Sequence, residues 1–195
     1  MSLTFDPVAH HYFWQGVRVP NVTSVLADLV DLSVVPPAAL EIARQKGIAV
    51  HRMVELDAKG DLDEASLPDW MAPVMVQWRN FVAESGFRVI DSEKKLYHPS
   101  YRYAGTMDLY GELVHAAHFA YIDVKRSFMG GNVVGLQIAA YQAADVTEHK
   151  DRRTAKRYGL RLKEGEPYRM QEYTDANDFN VFTACLVRHL WKGKQ

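Results

Sequence analysis

Apolar residues along this chain follow two alternating periods, which predict a mixed α/β domain. His11-Tyr12-Phe13-Trp14 and Val17-Arg18-Val19 flank Gln15-Gly16 and read as a hairpin ended by Pro20, after which Asn21 or Thr23 can cap a short helix. Pro36-Pro37 opens a helical stretch. Its apolar positions are Ala39, Leu40, Ile42 and Ala43; Gly47 interrupts it, and Ile48, Val50, Met53, Val54 and Leu56 resume the spacing until Gly60. Asp69 is placed to cap a longer helix carrying Trp70, Val74, Trp78, Phe81 and Val82, with Gly86 as its stop. Three strand-like runs follow, Phe87 to Tyr97, Tyr103 to Val114 and His118 to Lys125. Leu136 to Ala144 is then helical, Ala155 to Leu162 and Tyr168 to Tyr173 read as strands, and Asp175 to Trp191 as a terminal helix. This order suits a central mixed β-sheet with helices on both faces, in the sequence αβββαβ. No repeat or linker divides it, so residues 1–195 are expected to form one domain, with the N-terminal hairpin (about 5–20) and a helical segment (about 37–86) packed on the core.

Composition narrows the class. With 195 residues and 48% hydrophobic content the chain can bury one sizeable core. No apolar run is long enough to span a bilayer and the first residues lack a basic start, so a soluble, cytoplasmic protein is expected. The single cysteine, Cys185, excludes an internal disulfide and a four-cysteine zinc or iron–sulfur site. A net charge of −1 gives no global attraction for nucleic acid, so affinity for DNA would have to come from a local patch. The segment from Lys150 to Lys163 offers one: seven basic side chains against the single acid Asp151, with Arg152, Arg153, Lys156 and Arg157 as candidate phosphate contacts.

The candidate chemistry lies on the central runs. Four Asp/Glu-x-Lys triplets occur, and Asp57-x-Lys59 and Glu148-x-Lys150 lie on or beside helices, while Glu93-x-Lys95 has no acid on a preceding strand. Asp123-Val124-Lys125 differs, being on a strand-like run after Gly105-Thr106-Met107-Asp108 and before Gln137-x-x-x-Tyr141. If Ala116-Ala117 is the centre of the intervening turn, Asp108 faces Lys125 and Tyr110 faces Asp123. Asp108, Asp123 and Lys125 then share one face, since strand side chains alternate with period two. Two carboxylates on one face can converge on a divalent cation such as magnesium, which polarises a phosphate and generates hydroxide from water, while an adjacent lysine orients that water or offsets charge developing on phosphorus. His51 and Glu55 lie one helical turn apart upstream. His115-Ala-Ala-His118 has the look of a zinc pair, but no further ligand is near it in sequence and the turn explains it.

Gly105-Thr106-x-Asp108, Asp123-x-Lys125 and Gln137-x-x-x-Tyr141, with His51 on an upstream helix, resemble the PD-(D/E)XK nuclease superfamily, in particular its RecB-like and phage-exonuclease branch. The resemblance runs from about His51 to Tyr141, and more weakly into both ends of the chain. It implies a restriction-endonuclease-like core in which Asp108 and Asp123 bind Mg2+ or Mn2+ with the backbone carbonyl of Val124, His51 is an additional ligand and Lys125 is catalytic. It further implies that Gln137 and Tyr141 line the site and contact DNA, and that Glu93 occupies a place where relatives often carry an acid. Asp123 stands where Glu is more common, Pro68-Asp69 is not the first motif despite its letters, and no cysteine cluster is present. The expected activity is metal-dependent DNA hydrolysis, an exonuclease of phage recombination type with DNA and a single-strand annealing protein as expected partners. An endonuclease shares these motifs. A non-catalytic DNA-binding protein and a hydrolase of small phosphoesters are the readings from other classes.

Overall fold

The computed structural model describes residues 2–127 and 131–193. The chain opens with β1 (Leu3–Asp6), β2 (His11–Trp14) and β3 (Val17–Val19), an antiparallel three-stranded sheet. β1 adds a strand to the expected hairpin. Gln15 and Gly16, with φ of 51° and 79°, make the tight turn between β2 and β3, where both central residues need positive φ. Asn21 caps α1 (Val22–Leu26) by accepting from the Ser24 amide.

Helix α2 (Pro37–Lys59) begins with proline in its first turn and closes on Gly60 in the left-handed conformation. It runs straight through Gly47, contrary to the interruption expected there. A mid-helix glycine costs only about 1 kcal/mol relative to alanine, too little to break a helix anchored by buried Val50, Met53 and Val54. Helix α3 (Ala72–Ser85) starts later than expected; Met71 occupies the cap position without a side-chain bond, so Asp69 does not cap it. Gly86, with φ of 64°, ends it as anticipated.

The main sheet has the order β4 (Phe87–His98), β5 (Tyr103–Leu113), β6 (His118–Lys125), β7 (Lys156–Arg161), β8 (Arg169–Glu172). All neighbours are antiparallel except β6 and β7, which are parallel and joined through α4 (Val133–Val146). Helix α5 (Asp178–Lys192) closes the described chain. One core, centred on Tyr103, Tyr121, Ile138 and Phe182, lies between the sheet and helices α1, α4 and α5. The other, centred on Trp78, Phe81, Ile122 and Leu160, lies between the sheet and α2 and α3. This is the α/β architecture expected, a mixed sheet covered on both faces.

The β5–β6 register corrects the sequence reading. Leu113 pairs with His118 and Tyr110 with Tyr121, so Asp108 does not face Lys125, nor Tyr110 Asp123. The connection is a four-residue loop, Val114 to Ala117, with Ala117 left-handed at φ 53°, two residues out from the symmetry assumed. A slip of two preserves parity. Continuing the ladder one step past Leu109–Ile122 sets Asp108 level with Asp123, and both acids keep the same face.

Candidate active site

Each element delivers its side chain for a local reason. Gly105 of β5 lacks a Cβ because Tyr141 of α4 lies on it; a methyl there would approach the Tyr141 ring to 2.5 Å. That contact brings Tyr141 and Gln137, whose Nε2 donates to the tyrosine hydroxyl at 3.1 Å, to the end of β5. Thr106 Oγ1 lies 2.7 Å from the Tyr12 hydroxyl, and Trp14 stacks on Tyr97 at 4.1 Å, docking the small sheet beside the same strand ends. The result is a cleft of about 470 Å³ whose floor and walls include His51, Glu93, Asp108, Lys125, Gln137 and Tyr141.

Within it His51 Nδ1 lies 3.4 Å from Asp108 Oδ1 and 3.5 Å from Glu93 Oε1. One ligand atom from each of the three falls within 4.8 Å of the others, a group able to hold a metal ion. Glu93 reaches it through a backbone φ of 49° in the middle of β4, where a left-handed conformation is costly for a residue with a side chain. Asp108 Oδ2 is fixed by the Val124 amide, which donates at 2.7 Å. Asp123 is 2% exposed; Lys125 Nζ meets its Oδ2 at 2.6 Å, and no donor among the described residues serves its Oδ1. The His51, Glu93 and Asp108 group does not include Asp123; a carboxylate buried with acceptor capacity to spare, on the same face as Asp108, adds donor chemistry suited to a divalent cation beside that group.

The electrostatics show the tension in this group. Burial pushes the Asp123 carboxyl up to about 6, against the pull of Lys125 and with the Asp108 charge adding to the rise. Burial also opposes charge on His51, but the charge of Asp108 and the bonds to Asp108 and Glu93 outweigh it and raise the imidazole to about 10. Asp108 moves down, because His51, Lys125 and the Val124 amide overcome its burial. Lys125 is held protonated by Asp123 and Asp108 despite its own burial. Burial and the two aspartates keep the Tyr141 hydroxyl neutral. His51 therefore carries a proton that a metal would have to displace.

His51, Glu93, Asp108, Lys125, Gln137 and Tyr141, chosen from the sequence, thus line one cleft, whereas Asp123 lies behind it, ion-paired to Lys125. Glu93, whose place rested on the resemblance alone, lies beside His51 within that ligand group. The four candidate phosphate contacts are placed differently. Arg152 pairs with Asp91 and the fully buried Asp145 and lies 4.1 Å over the Tyr110 ring. Arg157 pairs with Asp178 at 2.9 Å, and Lys156 with Glu172 at 3.2 Å. Arg161 and Lys163 share Glu166. The acids that neutralise the run lie outside it, from Asp91 on β4 to Glu166 just past its end, so a charge count of the segment alone misses them. Lys156 is also level with Ala120, whereas Lys125 is level with Arg161, about 16 Å further along the strands. Arg153 remains exposed. Arg126, next after Lys125, pairs with Glu164, which it shares with Lys46, and both cations lie over Trp70. His115 and His118 bond to the Glu84 carbonyl and the Tyr158 hydroxyl, as turn residues rather than metal ligands.

No protein-family model matches the chain and no curated protein matches it, so the reading of this cleft rests on its residues and their geometry. No helix among the described residues is long and apolar enough to cross a membrane.

Proposed function

We propose that this protein is a Mg2+- or Mn2+-dependent DNA nuclease of PD-(D/E)XK type, acting as an exonuclease. The observation that carries the reading is Asp123: a buried carboxylate without a full set of donors, level with Asp108 and 2.6 Å from the Nζ of Lys125, which with Asp108 lines the open cleft. Asp108 and Asp123 would hold the cation, with His51 and Glu93 as further ligands and the Val124 carbonyl completing the set. When bound, the ion polarises the scissile phosphate and lowers the pKa of a water. Lys125 holds its proton near neutral pH, so its part is to orient the attacking water and to offset negative charge developing on phosphorus rather than to act as base. Tyr141, neutral and held by Gln137, serves as a hydrogen-bond donor to the nucleic acid. A mixed imidazole and carboxylate set favours Mn2+ over Mg2+, which is suited to an all-oxygen octahedron.

The test incubates purified protein with end-labelled linear duplex and covalently closed circular DNA in Mg2+, Mn2+ or EDTA, beside Asp123→Asn. Progressive loss of linear DNA alone, dependent on metal and on Asp123, is the expected result. Cutting of circles would replace exonuclease by endonuclease within the same chemistry. No metal-dependent cleavage of either substrate would refute the nuclease reading.

A further inference from the structure

We propose that the cleft beside the carboxylates is a slot for one unstacked nucleotide of a single strand, with Gly47 and Ile48 of α2 forming one wall and Phe5 and His10 of the N-terminal sheet forming another. The proposal rests on the nucleic-acid reading of the site and specifies the form of its substrate. Its strongest support is a glycine the fold does not need. Gly47 lies in the interior of α2, its φ is not positive, and a Cβ built on it meets nothing within 4 Å. Alanine would favour the helix by about 1 kcal/mol. Neither backbone conformation nor packing within the protein accounts for glycine here. What it leaves is a bare strip of backbone lining the cleft, the condition for close approach by a ligand.

The neighbouring residues give the ligand its character. Ile48, beside Gly47, is 53% exposed and lines the cleft, although the buried face of α2 is made by Val50, Met53 and Val54. Phe5 is braced by His10 at a ring separation of 5.1 Å and by Tyr12 at 4.6 Å, so its orientation is set before anything binds. His10 is exposed in the turn between β1 and β2, with φ of 53°. Lys95 Nζ lies 5.8 Å from the Phe5 ring, which puts a cation beside this wall. Apolar and aromatic surfaces flanking a charged floor match a nucleotide, whose base needs a flat apolar contact and whose phosphate needs the cation site. The volume of about 470 Å³ lies in the range of small-ligand sites, roughly 300–1,000 Å³. Bases in duplex are stacked and paired and offer no free face, so a strand must be unpaired at this position before its phosphate reaches Asp108 and Lys125.

Gly47→Leu fills the slot without touching the metal ligands. Because the new side chain projects into open space from a helix that favours it, the melting temperature should hold or rise. Fluorescence anisotropy with a labelled oligothymidylate in Ca2+ should show wild type binding the single strand more tightly than a blunt hairpin duplex. Gly47→Leu should weaken single-strand binding about tenfold or more, the loss of one stacked base, and Gly47→Ala much less. Equal binding by wild type and Gly47→Leu, preference for the duplex, or no single-strand binding by wild type would each overturn the slot. Cleavage in Mn2+ is scored separately: an active enzyme with a Gly47→Leu-insensitive affinity refutes the slot and leaves the nuclease, whereas inactive protein with the expected binding pattern refutes the nuclease and leaves the slot.

Discussion

Replacing Asp123 by asparagine should make the metal-free protein more stable at pH 8 while abolishing its activity. The folded state raises this carboxyl from 3.8 to about 6, mainly by burying it. A group whose folded pKa is raised favours the protonated form on folding, so its ionisation penalises the native state fully above about pH 6, and the penalty fades as pH falls toward 4. At 1.36 kcal/mol per pH unit the rise corresponds to about 3 kcal/mol, a value that already includes the attraction of Lys125 at 2.6 Å. Asparagine keeps the shape and removes the charge. In a protein of this size 1 kcal/mol shifts the melting temperature by roughly 2–4 °C, so Asp123→Asn should melt about 6–12 °C higher in EDTA at pH 8 and show little advantage at pH 4. Adding Mn2+ should narrow or reverse the difference, because only the wild type gains the full set of ligands. Scanning calorimetry of both proteins under these three conditions decides it. A variant less stable than wild type at pH 8 in EDTA would mean that the Asp123–Lys125 pair is a net structural ion pair, and the case for a functionally strained carboxylate would fail.

Three other perturbations probe the surrounding residues. His51, raised to about 10 by Asp108 and Glu93 against the cost of burial, contributes stability that is present below its unfolded value of 6.5 and lost as pH rises through about 10; His51→Gln should therefore melt lower at pH 6, with the gap closing by pH 10, and wild type should release a proton on binding Mn2+ at pH 8, measurable by titration calorimetry in buffers of different ionisation enthalpy. Lys125→Met should retain Mn2+ binding while lowering the cleavage rate about 100- to 1,000-fold; lost metal affinity with intact chemistry would assign Lys125 to positioning of Asp123 instead. Arg152→Ala should cost about 3 kcal/mol in urea unfolding, since it strips the buried Asp145 of one partner, and should change DNA affinity little; a large loss of affinity in folded protein would restore Arg152 as a phosphate contact.

The fold was largely legible because its signals are local. The tight turn at Gln15-Gly16, the Pro37 start and Gly60 end of α2, Gly86 after α3 and the alternating runs of β4 to β6 are each specified by residues within one or two turns of the chain. Misreadings came from two sources. Gly47 and Asp69 were weighed by propensity, which tertiary anchoring overrode in the first case and which the later start of α3 removed in the second. The hairpin register was misjudged because a four-residue loop with Ala117 left-handed carries no glycine or asparagine signal. Asp108 and Asp123 keep a common face despite that error, because the face depends on parity. The basic segment is less open than its charge count suggests, because Asp91, Asp145, Asp178, Glu166 and Glu172 pair with its side chains, while Arg153 stays exposed.

Where the chain departs from what stability alone would select, the departures converge. Asp123 is buried without enough donors, Glu93 adopts a left-handed backbone within a strand, and Gly47 weakens a helix without any packing need for glycine. They lie on β6, β4 and α2, far apart in sequence, and nothing in the folding of one requires the others. Glu93 and Gly47 line one cleft, and Asp123 is ion-paired to the lysine that lines it too. Local rules broken independently around a single cavity are accounted for most simply by selection on what the cavity holds, since a sequence under pressure for stability alone would have repaired each separately. The same logic ranks the experiments. Asp123→Asn and Gly47→Ala should both stabilise the empty protein, one by relieving charge and the other by favouring helix, and their costs should separate into loss of metal-dependent chemistry for the first and, with the larger leucine at position 47, loss of strand affinity for the second.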